Sequence, residues 1–232
     1  MFEVAVAVLA ADEGGAVPLA DYLLGAGGHI VQRQADAAAI QFQQALQRQP
    51  AHTDARLNLG LALILSGQAS EAVKHLQITV GDHPDSAKAH FNLGRAYLLD
   101  GQLAAGIQEL NRSLRLRPTP AGHLEMGRAL ASAGDVPAAH SHFQQAIHLQ
   151  TNFVPAYQAA AALHLQQGEI GKALELLSRA ARLAPQDAGV HFQLGETLLL
   201  AGQTAQARAA FERVLALEPD HAATRARLRS IR

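Results

Sequence analysis

The chain has 232 residues, 49% of them hydrophobic, with a formal net charge of −1 and no cysteine. That apolar share suffices for a packed core and excludes a disordered tail. The charge balance argues against nucleic acid, which calls for a basic stripe, and the missing cysteine excludes disulfides, zinc ribbons and thiolate catalysis.

Residues 1–18 form an unassigned arm, apolar over Met1–Ala11. It carries Glu3 but no Lys or Arg, so it does not read as a secretory signal. No apolar run approaches the ~20 residues of a membrane-spanning helix. A cytoplasmic protein is expected, with a periplasmic one as the alternative.

From residue 19 the chain is periodic. Gly67, Gly101, Gly134, Gly168 and Gly202 recur at steps of 34, 33, 34 and 34, and Pro50, Pro84, Pro118, Thr151, Pro185 and Pro219 keep the same rhythm. Two further series run in phase: Ala38, Ala72, Gly106, Ala139, Ala173, Ala207 and Phe42, Leu76, Leu110, Phe143, Leu177, Phe211. The units fall at 19–52, 53–86, 87–119, 120–153, 154–187 and 188–221.

The first unit is degenerate. Its Leu24-Gly25 is in phase only with one extra residue, and Gly27-Gly28 then fall inside its first helix. The segment GAGGH at Gly25–His29 has no clear strand before it and no Lys after it, so it reads as a poor helix start rather than a phosphate loop. Residues 222–232 read as a capping helix whose Arg225, Arg227, Arg229 and Arg232 give a polar outer face.

Each unit has a mechanical reading. A first helix carries a pair such as Leu59-Gly60, Leu93-Gly94 or Leu194-Gly195, whose small member admits a neighbouring helix. The next glycine ends that helix, because only glycine adopts the left-handed conformation cheaply. The second helix sets a small and a large residue four apart on one face. Proline closes the unit, and Thr53, Ser86 and Asp187 are the expected caps of the helices that follow.

This pattern resembles the tetratricopeptide repeat over roughly residues 19–232, best in RLNLGLALILSGQASEAVKHL and HFNLGRAYLLDGQLAAGIQEL. The resemblance implies an all-α, right-handed α-solenoid of about six helix–turn–helix units with a C-terminal capping helix. It departs from the family where an aromatic is usual near the start of the first helix. Tyr22, Arg56, His90, His123, Tyr157 and His191 stand there, so that contact is weakened or replaced.

The resemblance also implies a concave groove lined by first helices, and hence a non-catalytic scaffold that binds a peptide or helix of a partner. Carried over place by place, the groove takes Leu57, Asn58 and Leu61; Lys88, Phe91, Asn92 and Arg95; Leu124 and Arg128; and Phe192 and Gln193. Asn58 and Asn92 occupy equivalent places. An amide donates and accepts at once, so such a pair could bond an extended backbone; the alternative is that both bond a neighbouring helix. Lys88, Arg95 and Arg128 could pair with a carboxylate, or form a solvated face balanced by Glu125 and Glu196.

No catalytic constellation, cofactor or metal site is expected. Of the 12 histidines, His140 and His142 are two apart and His142 and His148 six apart, spacings that do not converge on one ligand, so all read as edge or surface residues. The expected partner is another protein or peptide. Self-association through the apolar arm is a second reading. A third, an accessory region of an enzyme such as a glycosyltransferase, is disfavoured because the capping helix leaves no room for a catalytic domain.

Overall fold

The computed structural model describes residues 28–231. The arm at 1–18, Tyr22, Leu24, Gly25 and Arg232 lie outside the described residues.

Among the described residues there are twelve helices and no strand. Helix α1 spans Gly28–Arg48. Five helical hairpins follow: α2 (Thr53–Leu65) with α3 (Ala69–Asp82), α4 (Ala87–Leu99) with α5 (Leu103–Leu116), α6 (Pro120–Ser132) with α7 (Val136–Leu149), α8 (Val154–Gln166) with α9 (Ile170–Leu183), and α10 (Ala188–Leu200) with α11 (Thr204–Leu217). Helix α12 (Ala222–Ser230) comes last. The chain is an all-α solenoid. Its packing divides into two units, one through His142 and one from Phe143, so the division falls within α7.

The hairpins exist because five glycines stand where a left-handed residue is needed. Gly67, Gly101, Gly134, Gly168 and Gly202 hold φ between +73° and +82°, and no other described residue type has positive φ. The place 34 residues before Gly67 holds Arg33. Without a glycine the chain does not turn there, and α1 runs unbroken for 21 residues. The described part of 19–52 is therefore one long helix followed by a short turn.

In the first unit Leu59, Leu63, Ile64 and Leu76 are fully enclosed. The glycine of the Leu-Gly pair is a matter of space. A Cβ on Gly60 would lie 2.5 Å from Leu76 Cγ, and one on Gly94 would lie 2.8 Å from Leu110 Cγ. In the second unit Gly195 bears the same relation to Phe211, at 2.6 Å from Cε1. At the equivalent place Ala161 packs with Ala173 and Leu177, so there the spacing accommodates a methyl group. Leu198, Ala207 and Phe211 form the last cluster, with Leu228 and Ile231 packed against it.

The caps require one correction. Ser86 and Asp187 accept from the backbone N–H of Ala89 and Val190, at 3.2 and 3.0 Å. Thr53 is not a cap: it is already helical, and His52 caps α2 by accepting from Ala55 N–H through Nδ1 at 3.3 Å. His221 does the same for α12, accepting from Thr224 N–H at 3.2 Å. The sequence reading passed over both because histidine is not among the strongly preferred caps.

Candidate protein-interaction surface

The departure from the family's aromatic is a replacement by polar side chains that reach back to the loop. His90 Nε2 donates to the Pro84 carbonyl at 2.9 Å, Tyr157 Oη to Thr151 at 2.8 Å, His191 Nε2 to Pro185 at 3.2 Å and Arg225 Nη2 to Pro219 at 2.6 Å. Arg56 donates to the Pro50 carbonyl in the same way. In each case the span is six residues. A carbonyl left over at the end of one hairpin is thus satisfied by the first helix of the next. His123 stands only five residues after Pro118, and it meets His142 instead, with Nδ1 to Nδ1 at 3.0 Å.

The structure sorts the expected groove residues into two classes. Leu61 and Leu124 are buried, at 3% and 2% exposure, and Leu61 packs with Ala35 of α1 and with Leu65. Leu57 packs against the core cluster around Leu59 and Leu63, and Phe91 against Leu110, Met126 and Ala129. Phe192 turns toward the second helix of its hairpin and the last helix, its ring 5.8 Å from Phe211 and 5.1 Å from His221. This row was expected to line the groove. It largely holds successive hairpins together, because apolar side chains on facing first helices bury one another.

The second class reaches solvent. Asn58, Lys88, Arg95 and Arg128 are half-buried, and Gln193 is exposed. Arg95 lies over the Phe91 ring, 5.4 Å from its centroid. Arg128 Nη1 is 3.8 Å from Glu125 Oε1. Gln193 accepts from Gln158 Nε2 at 3.1 Å, an amide contact one repeat apart in the second unit.

The two asparagines differ. Asn58 is half-buried, whereas Asn92 is 0% exposed and neither its Oδ1 nor its Nδ2 has a hydrogen-bond partner. Asn92 is therefore not presented to solvent as a groove residue, and it does not bond a neighbouring helix either. An enclosed amide without partners costs about 1–3 kcal/mol.

Between α4 and α6 a small cavity of about 40 Å³ is lined by Lys88, Phe91, Ser113, Arg117 and Thr119. Ser113 Oγ donates to the Ala87 carbonyl there at 2.8 Å. Among the described residues no group of three or more His, Asp or Glu is arranged to hold a metal. None of the described helices is long and apolar enough to cross a membrane.

Comparisons with known proteins agree with this architecture. Profiles of the tetratricopeptide repeat match residues 66–121, residues 30–80 with 130–194, and residues 188–221. A CTR9 homolog of Arabidopsis thaliana is 30% identical over 103 residues, 44% of this chain and 9% of that protein. DnaJ homolog subfamily C member 3 of Gallus gallus is 35% identical over 98 residues, 42% of this chain and 19% of that protein. The chain thus matches less than a fifth of either relative's length. Among solved structures, YrrB, described as a TPR protein with an unusual peptide-binding site, has a TM-score of 0.58 at 16% identity, covering 81% of this chain and 97% of YrrB. Pseudomonas aeruginosa pilF gives 0.67 at 17% identity, covering 77% and 86%. The Cut9-Hcn1 hetero-tetramer of the APC/C gives 0.70 at 14% identity, covering 99% of this chain and 45% of that one.

Proposed function

Since the chain belongs to the tetratricopeptide repeat family, we propose that it is a non-catalytic scaffold whose first-helix face, in the unit through His142, holds an extended or helical segment of a partner protein. One observation carries this reading: the enclosed amide of Asn92, with both polar atoms unbonded, one repeat along from the half-buried Asn58. A buried polar group without a partner is destabilising in the free protein. A peptide backbone that reached Asn92 would supply both missing bonds, since the amide can donate and accept together.

Lys88, Arg95 and Arg128 flank that row, so the preferred segment carries a carboxylate. The buried Leu61 and Leu124 shape the floor of the face without touching the partner. YrrB, with its peptide-binding site, lends the reading its analogy in fold.

The test uses the chain as bait. Proteins captured by the unaltered chain are compared with those captured by Lys88→Glu and Arg128→Glu, and the captures are repeated at raised salt. The reading expects a partner that both charge reversals release and that salt weakens, because exposed ion pairs are screened. A partner retained by both reversals, and instead released by Gln108→Ala or Lys172→Ala on the second helices, overturns it.

A further inference from the structure

The place of His142 in its hairpin is held by His75, Glu109, Leu176 and Ala210 in the others, and that of His123 by Arg56, His90, Tyr157 and His191. In the preceding hairpin this pair of places holds His90 and Glu109, with Nδ1 to Oε2 at 2.6 Å. One repeat on, the carboxylate is exchanged for a second imidazole. The loop before α6 is also one residue shorter, so His123 stands five rather than six residues after the proline of its loop. Two imidazole nitrogens then face each other at 3.0 Å, with ring centroids 5.1 Å apart and planes inclined by 36°.

We propose that His123 and His142 form a two-imidazole site for a divalent transition-metal ion that favours right-angled coordination, of the Ni²⁺ or Cu²⁺ type. Metal–imidazole bonds are about 2.0–2.1 Å, so two nitrogens at the observed spacing of 3.0 Å subtend about 91–97° at the ion. Square and octahedral ions use that angle, whereas a tetrahedral Zn²⁺ would need the nitrogens about 3.3 Å apart. Both rings are half-buried, which leaves the outward coordination positions to water.

Both rings are held as neutral ligands. Burial lowers the pKa of each below 6.5, and for His123 the neighbouring ring adds to the effect. In the metal-free pair one Nδ1–H donates to the other Nδ1. On binding, that ring moves its proton from Nδ1 to Nε2, and small turns of both rings about Cβ–Cγ, a broad torsion for histidine, aim the two lone pairs at the ion while the nitrogens keep their 3.0 Å spacing. The ion then takes both Nδ1 lone pairs with no net change in protons.

The sequence reading missed this pair because its members are 19 residues apart on different helices. Neither of the histidine spacings it weighed contains both.

The experiment titrates untagged protein with NiCl₂ and with CuCl₂ by calorimetry, and follows the thermal midpoint in parallel. The same titrations use His123→Tyr and His142→Leu, the residue types that Tyr157 and Leu176 supply at these places in the following hairpin. His148→Ala is the control for unrelated histidines. The expected result is a saturable single site and a raised midpoint in the unaltered chain and in His148→Ala, both lost in His123→Tyr and in His142→Leu. Electron paramagnetic resonance of the Cu²⁺ form of the unaltered chain gives a second answer that needs no variant, with two equatorial imidazole nitrogens expected. No saturable binding, binding that survives in both pair variants, or a Cu²⁺ spectrum with one nitrogen or none would overturn the proposal.

Discussion

His90 stands with Nδ1 2.6 Å from Oε2 of Glu109, and both residues are buried. The other ring nitrogen donates to the Pro84 carbonyl at 2.9 Å, so the imidazole ties α5 to the loop that ends the preceding hairpin. Glu109 is held in turn by Arg112, with Nη1 3.2 Å from Oε1. A charged hydrogen bond is worth about 1.5–3 kcal/mol. Glu109→Ala should therefore lower unfolding stability by about that much in urea titration, and combined with His90→Ala it should cost less than the sum of the single changes. Full additivity would mean that the contact contributes nothing.

Two kinds of glycine should respond differently to substitution. Gly94 has no room for a side chain, with Leu110 Cγ at 2.8 Å from an added Cβ. Gly101 has open space around it but a φ of +79°. Gly94→Leu should destabilise by about 1–3 kcal/mol through overpacking, as should Ala173→Leu at a fully enclosed site. Gly101→Ala should cost about 1–2 kcal/mol through backbone conformation alone. Gln108→Leu, on the exposed face of α5, should stay within about 0.5 kcal/mol. Urea midpoints check the order.

Stability should fall in mild acid. His75, His123 and His142 all sit below the ordinary histidine value of 6.5, chiefly because burial disfavours the charged ring. For His75, Arg56 and Lys74 add to this and Glu71 opposes it. As pH drops through 6.5 the unfolded chain takes up protons that the folded chain still refuses, so folding weakens until the folded values are passed. Urea midpoints measured in the presence of a chelator should decline between about pH 7 and pH 5. His75→Leu, with the residue type found at Leu176 in the same place, should flatten part of that decline.

The enclosed amide makes an opposite forecast for Asn92→Leu. Replacing an unbonded buried amide by an apolar group of similar size should raise stability by about 1–3 kcal/mol in urea titration. A loss of stability would mean that Asn92 is bonded in solution.

The hairpins were legible in the sequence because their signals are local. A glycine that must take positive φ, as at Gly67, and a proline that ends a helix, as at Pro84, announce themselves without knowledge of what packs where. The absence of such a glycine at Arg33 was legible too, although its consequence, the unbroken α1, was not drawn. The face of the first helices was less legible. Leu61, Leu124 and Asn92 occupy places that the family leaves open, yet they are buried here, and Leu61 packs against Ala35 of α1, a neighbour that no local pattern announces. The chain of donors from Arg56, His90, Tyr157, His191 and Arg225 to the preceding loops was hidden for another reason. Arginine, histidine and tyrosine share no hydropathy class, only the ability to donate a hydrogen bond across one fixed distance.

The most direct test of the binding face is calorimetric titration of the captured partner's segment against Asn58→Ala, Asn92→Leu and their combination, with Gln108→Ala and Lys172→Ala as second-helix controls. One net hydrogen bond lost is about 1 kcal/mol, or roughly fivefold in affinity. Asn58→Ala should weaken binding by about fivefold and Asn92→Leu, which loses two bonds, by about 25-fold, and the double variant by the product of the two if they act independently, while the controls bind as the unaltered chain does. Undiminished affinity in the double variant, together with weakened binding in the controls, would place the partner on the second-helix face and contradict the account.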